Sequence, residues 1–276
     1  MQQTAVKTTI STGVYNVAEN YRAMILPEME NGDRISNALM QSYLEEIDNG
    51  ASILDAPCGT GCYAGVTANM GKDFYVAVSD ASPDMLTHAI ARLTRQGHAV
   101  DSHQAKLDQL KGKQEWSNKF DLAFVPNVAS ELFGDMPETA YEDHIIASLT
   151  GVKSVLKKDG VALIDARNWK ETFELHWKET SRSNAHDGTI YHARYDWNFG
   201  RKIDGVHTVR TQFWNEHEGV DKANSNVIRF AGRTEKQLEE LFQKAGFNVV
   251  DKNNETRGIN DEPFTTFALK ISKNYG

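Results

Sequence analysis

Asp55-Ala-Pro-Cys-Gly-Thr-Gly61 closes the short apolar run Ala51-Ser-Ile-Leu54, and Asp80 closes the next one, Phe74-Tyr-Val-Ala-Val-Ser79. A strand that ends on an acid and enters a pair of glycines lets backbone approach a ligand closely, because glycine carries no Cβ. In an α/β sheet ligands sit at the carboxyl ends of the strands, so both acids fall where a ligand docks. A carboxylate at the position of Asp80 can accept hydrogen bonds from the two hydroxyls of a ribose. The loop therefore reads as a site for a nucleotide-like ligand.

Working outward, the flanking segments alternate between strand and helix. Ile35, Leu39, Met40 and Leu44 recur at helical spacing, which predicts a helix from about Arg34 to Ile47. Further helices are expected over Cys62–Met70, Pro83–Gln96 and Tyr141–Leu156, and strands over Ala99–Gln104, Phe120–Val125 and Gly160–Asp165. Such alternation implies a parallel sheet covered on both faces. From Thr189 to Phe230 the texture changes to alternating, aromatic-rich runs without helices between them, the mark of an antiparallel insertion that caps the site. A helix over Thr234–Ala245, closed by Gly246, leads into Phe247–Asp251 and Pro263–Ile271, read as a terminal hairpin. The expected fold is α/β: a Rossmann-like, seven-stranded, mostly parallel sheet with a terminal β-hairpin and an antiparallel β insertion as cap. Residues 1–34 read as an N-terminal lid or arm, and residues 35–276 as one domain with the insertion at about 170–232.

Composition narrows the function classes. The 276 residues carry a formal charge of −8, from 38 acidic against 30 basic side chains, with no run of Lys or Arg to match a phosphate backbone. Nucleic acid is therefore not an expected partner. Nor is a membrane, since no stretch approaches the roughly 18 apolar residues a span requires, and a cytoplasmic protein is expected. Both cysteines, Cys58 and Cys62, fall in the glycine loop region, where a helix start holds their side chains poorly for bridging. The nine histidines show no metal-ligand spacing, so no metal is expected. The aromatic cluster Tyr195, Trp197, Phe199, Phe213 and Trp214 is by default the packed face of the insertion, with a box for a methylated ammonium as the alternative.

Gly59, Gly61 and Gly65 also approximate a dinucleotide fingerprint with relaxed spacing, so a dehydrogenase competes for the loop. Three features favour S-adenosylmethionine. Asp55 precedes the first glycine by four residues and can accept from an α-amino group through water, where a pyrophosphate would be repelled. The chain ends in a helix and hairpin after the fifth parallel strand. Val125-Pro-Asn127 leaves its strand where a methyl acceptor would dock.

With these residues assembled, the chain resembles class I S-adenosylmethionine-dependent methyltransferases over nearly its whole length, and most of all the glycine and glycine/sarcosine N-methyltransferase group. The narrower resemblance rests on Asp165-Ala-Arg-Asn-Trp169, similar to the family's Asp-x-Arg-Asn-Tyr, on Val125-Pro-Asn127, and on Ile190-Tyr191. It implies S-adenosyl-L-methionine as cofactor and a small-molecule acceptor handled by Asn127, Arg167 and Tyr191. It also implies cofactor contacts from Tyr15, Tyr21, Met24, Arg34, Asp55, Ala56, Gly59, Gly61, Asp80, Ala81, Met85, Leu107, Asp108 and Val125. The resemblance and the polar N-terminal arm together suggest a homo-oligomer. Two departures stand out: Glu131 replaces a family histidine, and Lys106-Leu107 replaces an Asn-Trp pair beside the adenine. An acid at Glu131 favours a cationic or amine-bearing acceptor or takes a proton; its alternative is an exposed surface position.

Methyl transfer from a sulfonium is an in-line displacement on an already activated carbon, so the protein chiefly orients the reactants and excludes water. A neutral amine must aim its lone pair, which makes a bidentate arginine a useful carboxylate anchor. Arg167 is the candidate, with a salt bridge to Glu131 or Asp196 as its alternative role. Asn127 reads as a hydrogen-bond acceptor for the amine or as a turn residue, and the tyrosines as pocket hydroxyls or packing. The reading is N-methylation of a small amine or amino acid, with O-methylation or a non-catalytic methyltransferase-like subunit as alternatives.

Overall fold

The computed structural model describes residues 38–126, 138–172, 180–183, 190–215, 224–257 and 262–272. Helix α1 (Ala38–Glu46) leads to β1 (Ser52–Asp55), α2 (Cys62–Ala68), β2 (Tyr75–Asp80), α3 (Pro83–Arg95) and β3 (Asp101–Gln104). After β4 (Phe120–Val125) come α4 (Tyr141–Val155), β5 (Leu156–Arg167) and the single turn α5 (Trp169–Thr172). Strands β6 (Thr180–Ser183), β7 (Ile190–Asn198), β8 (Val206–Asn215) and β9 (Asn224–Ala231) follow, then α6 (Glu235–Lys244), β10 (Phe247–Arg257) and β11 (Glu262–Ile271).

Seven strands form the main sheet in the order β10-β11-β5-β4-β1-β2-β3. Strands β3, β2, β1, β4 and β5 pair in parallel, and the β10–β11 hairpin adds the antiparallel end. The expected fold class is met. Alternation along the strands divides the core: Leu54, Ala123, Val125, Ala162 and Ile164 pack under α4 and α6, while Ile53, Leu122, Phe124 and Leu163 pack under α1 and Tyr63 of α2. Each such buried Val, Leu, Ile or Phe side chain contributes about 1.5–3 kcal/mol, which is why a parallel sheet needs both layers. Among the described residues no helix is long and apolar enough to cross a membrane.

Several boundaries differ from the sequence expectation for physical reasons. Strand β5 starts at Leu156, directly at the end of α4, because Phe120 pairs with Leu156 before a register shift brings Leu122 opposite Val161. The exposed Lys157-Lys-Asp159 run inside that shift disguised the strand as a loop. The hairpin strands run on through the polar stretches Asn253–Arg257 and Glu262, paired edge to edge without an apolar signature. A 3₁₀ turn, Leu107–Gly112, and the polar strand β6 were not apparent in the pattern.

The insertion is a four-stranded antiparallel sheet in the order β6-β7-β8-β9. It closes on the main sheet through Trp169, Val209, Phe230 and Phe264, with Trp197, Phe199, Ile203 and Ile228 half-buried around them. His207 sits at this joint, fully buried and stacked on the Trp169 indole at 4.4 Å and 16°. Gly200 N–H donates to its Nδ1 (3.1 Å), so the ring proton lies on Nε2 and is donated to the Ile203 carbonyl (3.0 Å). Burial holds its pKa down, and the Arg167 charge acts the same way.

Helix α4 touches the Leu107–Gly112 turn through Gly151, where a Cβ would run into the Leu107 carbonyl. This close approach positions the segment that carries Leu107 and Asp108. Gly151→Ala gains roughly 1 kcal/mol of helix propensity, yet the backbone obstruction is expected to leave a net loss of about 1–3 kcal/mol. Urea unfolding measures it, and a variant as stable as the parent contradicts the contact.

Candidate active site

The loop after β1 is tied to both neighbouring strands. Ala56 N–H donates to the Phe124 carbonyl of β4 (3.0 Å) and Cys58 N–H to the Ser79 carbonyl of β2 (2.8 Å). The Ala56–Pro57 peptide is cis. Gly61 adopts φ +75°, and a Cβ there would lie 2.8 Å from the Ala89 Cβ. Gly61 thus lets α2 lie against α3, a packing role, while Gly59 turns its N–H to Asp80 Oδ2 (2.9 Å). Ser82 N–H donates to Asp80 Oδ1 (2.8 Å), so the carboxylate is fixed at the rim with one lone-pair direction of each oxygen already used. Burial pushes its pKa up, against these backbone donors.

Asp55 is fully buried. Its Oδ2 accepts from Ala64 N–H at 3.0 Å, in the first turn of α2, and its Oδ1 has no partner among the described residues. Burial raises its pKa from an ordinary 3.8 to about 8, the Asp80 charge adds to the shift, and Ala64 N–H and Arg92 oppose it. Both cysteines are buried, and neither forms a disulfide among the described residues. The Cys58 thiol is pushed up by burial and by the two acids, so it stays a thiol. Arg92 donates to Cys62 Sγ (3.2 Å).

Around this pair the structure gathers Ala56 and Val125, both buried, and Met85, whose N–H caps onto Ser82 Oγ (3.4 Å) at the start of α3. Ala81 is exposed, and its carbonyl accepts from the Gln104 side chain (3.3 Å). Leu107 and Asp108 lie half-buried on the 3₁₀ turn, and Asp108 Oδ1 is a second buried oxygen with no partner among the described residues. Tyr191 falls in β7 opposite Arg182 and Asn215, with its side chain outside the described residues. Tyr15, Tyr21, Met24, Arg34, Asn127 and Glu131 also lie outside them.

Arg167 ends β5 and is buried. Its guanidinium carbon stands 5.1 Å from the ring centroids of Trp197 and Phe264 and 5.7 Å from those of Trp169 and Phe230. Rings from both sheets therefore enclose this cation, each able to contribute about 0.5–2 kcal/mol. Of the aromatic cluster, Trp197 and Phe199 pack into this joint, as the default reading expects, while the side chains of Tyr195 and Phe213 lie outside the described residues. Asp196 pairs with Arg194 (3.3 Å). Asp165, two residues back on the same face as Arg167, is fully buried and accepts from Thr266 Oγ1 (3.4 Å). Trp169, Phe230, Phe264, Asp165 and His207 escaped the sequence reading as site residues. The alternation Asp165-x-Arg167-x-Trp169 was a signal for Asp165 and Trp169; Phe230, Phe264 and His207 left none.

The donor set suits a nucleoside cation. Asp80 can take ribose hydroxyls, and the partnerless oxygens of Asp55 and Asp108 can accept N–H groups. Among the described residues no group of three or more His, Cys, Asp or Glu is arranged to hold a metal ion.

Because the Asp55 pKa is raised on folding, the folded chain holds a proton that the unfolded chain releases between about pH 4 and pH 8. This group therefore lowers stability progressively across that window, and the loss is complete above pH 8. Asp55→Asn is expected to stabilise the ligand-free protein by about 1–3 kcal/mol at pH 8 and by less at pH 5. Denaturant unfolding at both pH values reads the difference; an increment independent of pH contradicts the assignment.

Residues 47–246 match the methyltransferase domain family. No curated protein sequence matches the chain significantly. Among solved structures, an S-adenosylmethionine-dependent methyltransferase from Clostridium acetobutylicum is similar at 17% identity and a TM-score of 0.67, over 93% of this chain and 98% of that one. A sugar N-methyltransferase from Streptoalloteichus sp. is similar at 18% identity and 0.60, over 99% and 96%. An amino pentose methyltransferase from Micromonospora echinaspora, solved with S-adenosylmethionine, is similar at 15% identity and 0.57, over 96% and 99%. At these identities the structures speak for the fold, and it is the match across residues 47–246 that assigns the chain to the methyltransferase domain family.

Proposed function

We propose that the protein is an S-adenosylmethionine-dependent N-methyltransferase acting in the cytoplasm on a small amine or amino acid that bears a carboxylate. The observation that carries this reading is Arg167, a buried cation held by four aromatic rings at the carboxyl end of β5. The sugar N-methyltransferase and amino pentose methyltransferase among the similar structures support a small-molecule acceptor.

Bound S-adenosylmethionine supplies an activated methyl carbon on a sulfonium. When it is bound, Asp80 would hold the ribose, Asp55 would answer the ammonium, and Asp108 would accept from the adenine amino group beside Leu107. Ala56, Gly59, Gly61, Ala81, Met85 and Val125 would line the cofactor, and the resemblance adds Tyr15, Tyr21 and Met24 over it and Arg34 at its carboxylate. Arg167 grips the acceptor carboxylate in a bidentate pair, which leaves the amine free to turn its lone pair to the methyl group. Asn127 and Tyr191 orient the amine, and Glu131 takes up positive charge or a proton as the ammonium product forms. Protonated amine cannot attack, so turnover requires the acceptor to lose its proton before transfer.

Replacement of the family's Asn-Trp by Lys106-Leu107 and of its histidine by Glu131 gives this site its own acceptor preference rather than that of the glycine enzymes it resembles. The acceptor is identified by screening metabolites for S-adenosylhomocysteine release, with the product located by mass spectrometry; a methyl found on oxygen contradicts the N-transfer reading. With the acceptor in hand, Arg167→Lys keeps the charge and loses the fork. It is expected to raise acceptor KM about 10–100-fold and to leave the cofactor Kd unchanged. An unchanged acceptor KM removes the anchor role.

A further inference from the structure

We propose that Asp55 is an uncharged carboxylic acid in the ligand-free protein and that binding of the cationic cofactor drives its proton into solvent, so that ligand binding and ionisation are one event. The inference rests on the cofactor reading above and deepens it.

The argument starts from what surrounds the carboxyl. Asp55 has no exposed surface, and only one of its oxygens is hydrogen-bonded, to Ala64 N–H. The other oxygen is buried without a partner among the described residues. An ionised carboxylate placed there would leave half of its charge against low-dielectric protein, which is expensive unless a cation pairs with it.

The charged and titratable groups around it are Asp80 from β2, Arg92 from α3, and Cys58 and Cys62 from the loop and the start of α2. Asp80 adds negative charge and is the better-solvated acid, since Gly59 and Ser82 each donate an N–H to it. Arg92 is the nearby cation, and it directs Nη1 to Cys62 Sγ. Two acids close together behind one loop do not both ionise readily. The acid with two backbone donors carries the charge, and the one with a single donor keeps the proton, which agrees with the upward pKa shift of Asp55.

S-adenosylmethionine brings a sulfonium and an ammonium against one carboxylate, a net positive charge. Placed over this loop, it would add positive charge beside Asp55 to that of Arg92. The step is a simple ionisation, Asp55 carboxylic acid to carboxylate with one proton to the buffer. It makes Asp55 a positioning residue that answers the charge of the ligand.

Calorimetry decides the matter. S-adenosylmethionine is titrated into the full chain at pH 6.5, below the α-amino pKa of about 7.7–8.0, in two buffers with different ionisation enthalpies. The expected result is close to one proton released per ligand bound, with Kd tightening about tenfold per pH unit toward pH 8. Asp55→Asn is expected to bind without proton release and without that pH dependence. In parallel, the infrared carbonyl band of a protonated carboxylic acid should be present in the ligand-free protein and vanish on binding; this readout decides the question if the variant does not fold. Binding without proton release, or release that persists in the variant, overturns the proposal while leaving the cofactor reading intact. No binding at any pH defeats that reading itself.

Discussion

A carboxyl group shut away from bulk solvent sets the terms of this candidate site. Asp55 terminates β1 inside the protein, and its lone backbone donor comes from the helix that the glycine loop launches. The strand must stop there, the loop must turn there, and Asp80 must be tied off by Gly59 and Ser82 for the two acids to coexist. Desolvation disfavours charge, and a preorganised cluster of unmet acceptors favours a ligand that brings donors and positive charge. Much of the main sheet can be seen as the support that holds these two strand ends side by side, with β4 and β2 each clamping the loop through one backbone bond.

The second constraint is at the carboxyl end of β5. Among its described residues the insertion has no helix to cover the sheet, and it buries one face against the end of β5 and β11. The arginine at that end becomes the centre of the joint, with Trp169 lying between His207 and the aromatic ring set. Rings that exclude water from the joint also fix the direction of the guanidinium. A neutral His207 suits this arrangement, since a second positive charge beside Arg167 would loosen it.

The strand-helix alternation, the glycine loop, the order of elements and the closing hairpin were legible in the sequence because each leaves a periodic or compositional trace. Lys157-Lys-Asp159 hid the start of β5, since a register shift exposes residues that pattern reading assigns to a loop. Polar β6 and the Leu107–Gly112 turn left no hydrophobic period at all. For the site, Asp55, Asp80 and Arg167 were visible as residue types in meaningful places. Their states were not: that Gly61 serves helix packing, that Asp55 has a single donor among the described residues, and that Trp169, Trp197, Phe230 and Phe264 surround Arg167 all depend on residues distant in the chain.

The central claim is that the two acids at the ends of β1 and β2 select a nucleoside cation over a dinucleotide. Competition calorimetry tests it most directly. S-adenosylmethionine should bind the intact chain stoichiometrically at pH 8, and excess NAD should not displace it. Displacement by NAD, or binding of NAD in preference to S-adenosylmethionine, would contradict the account.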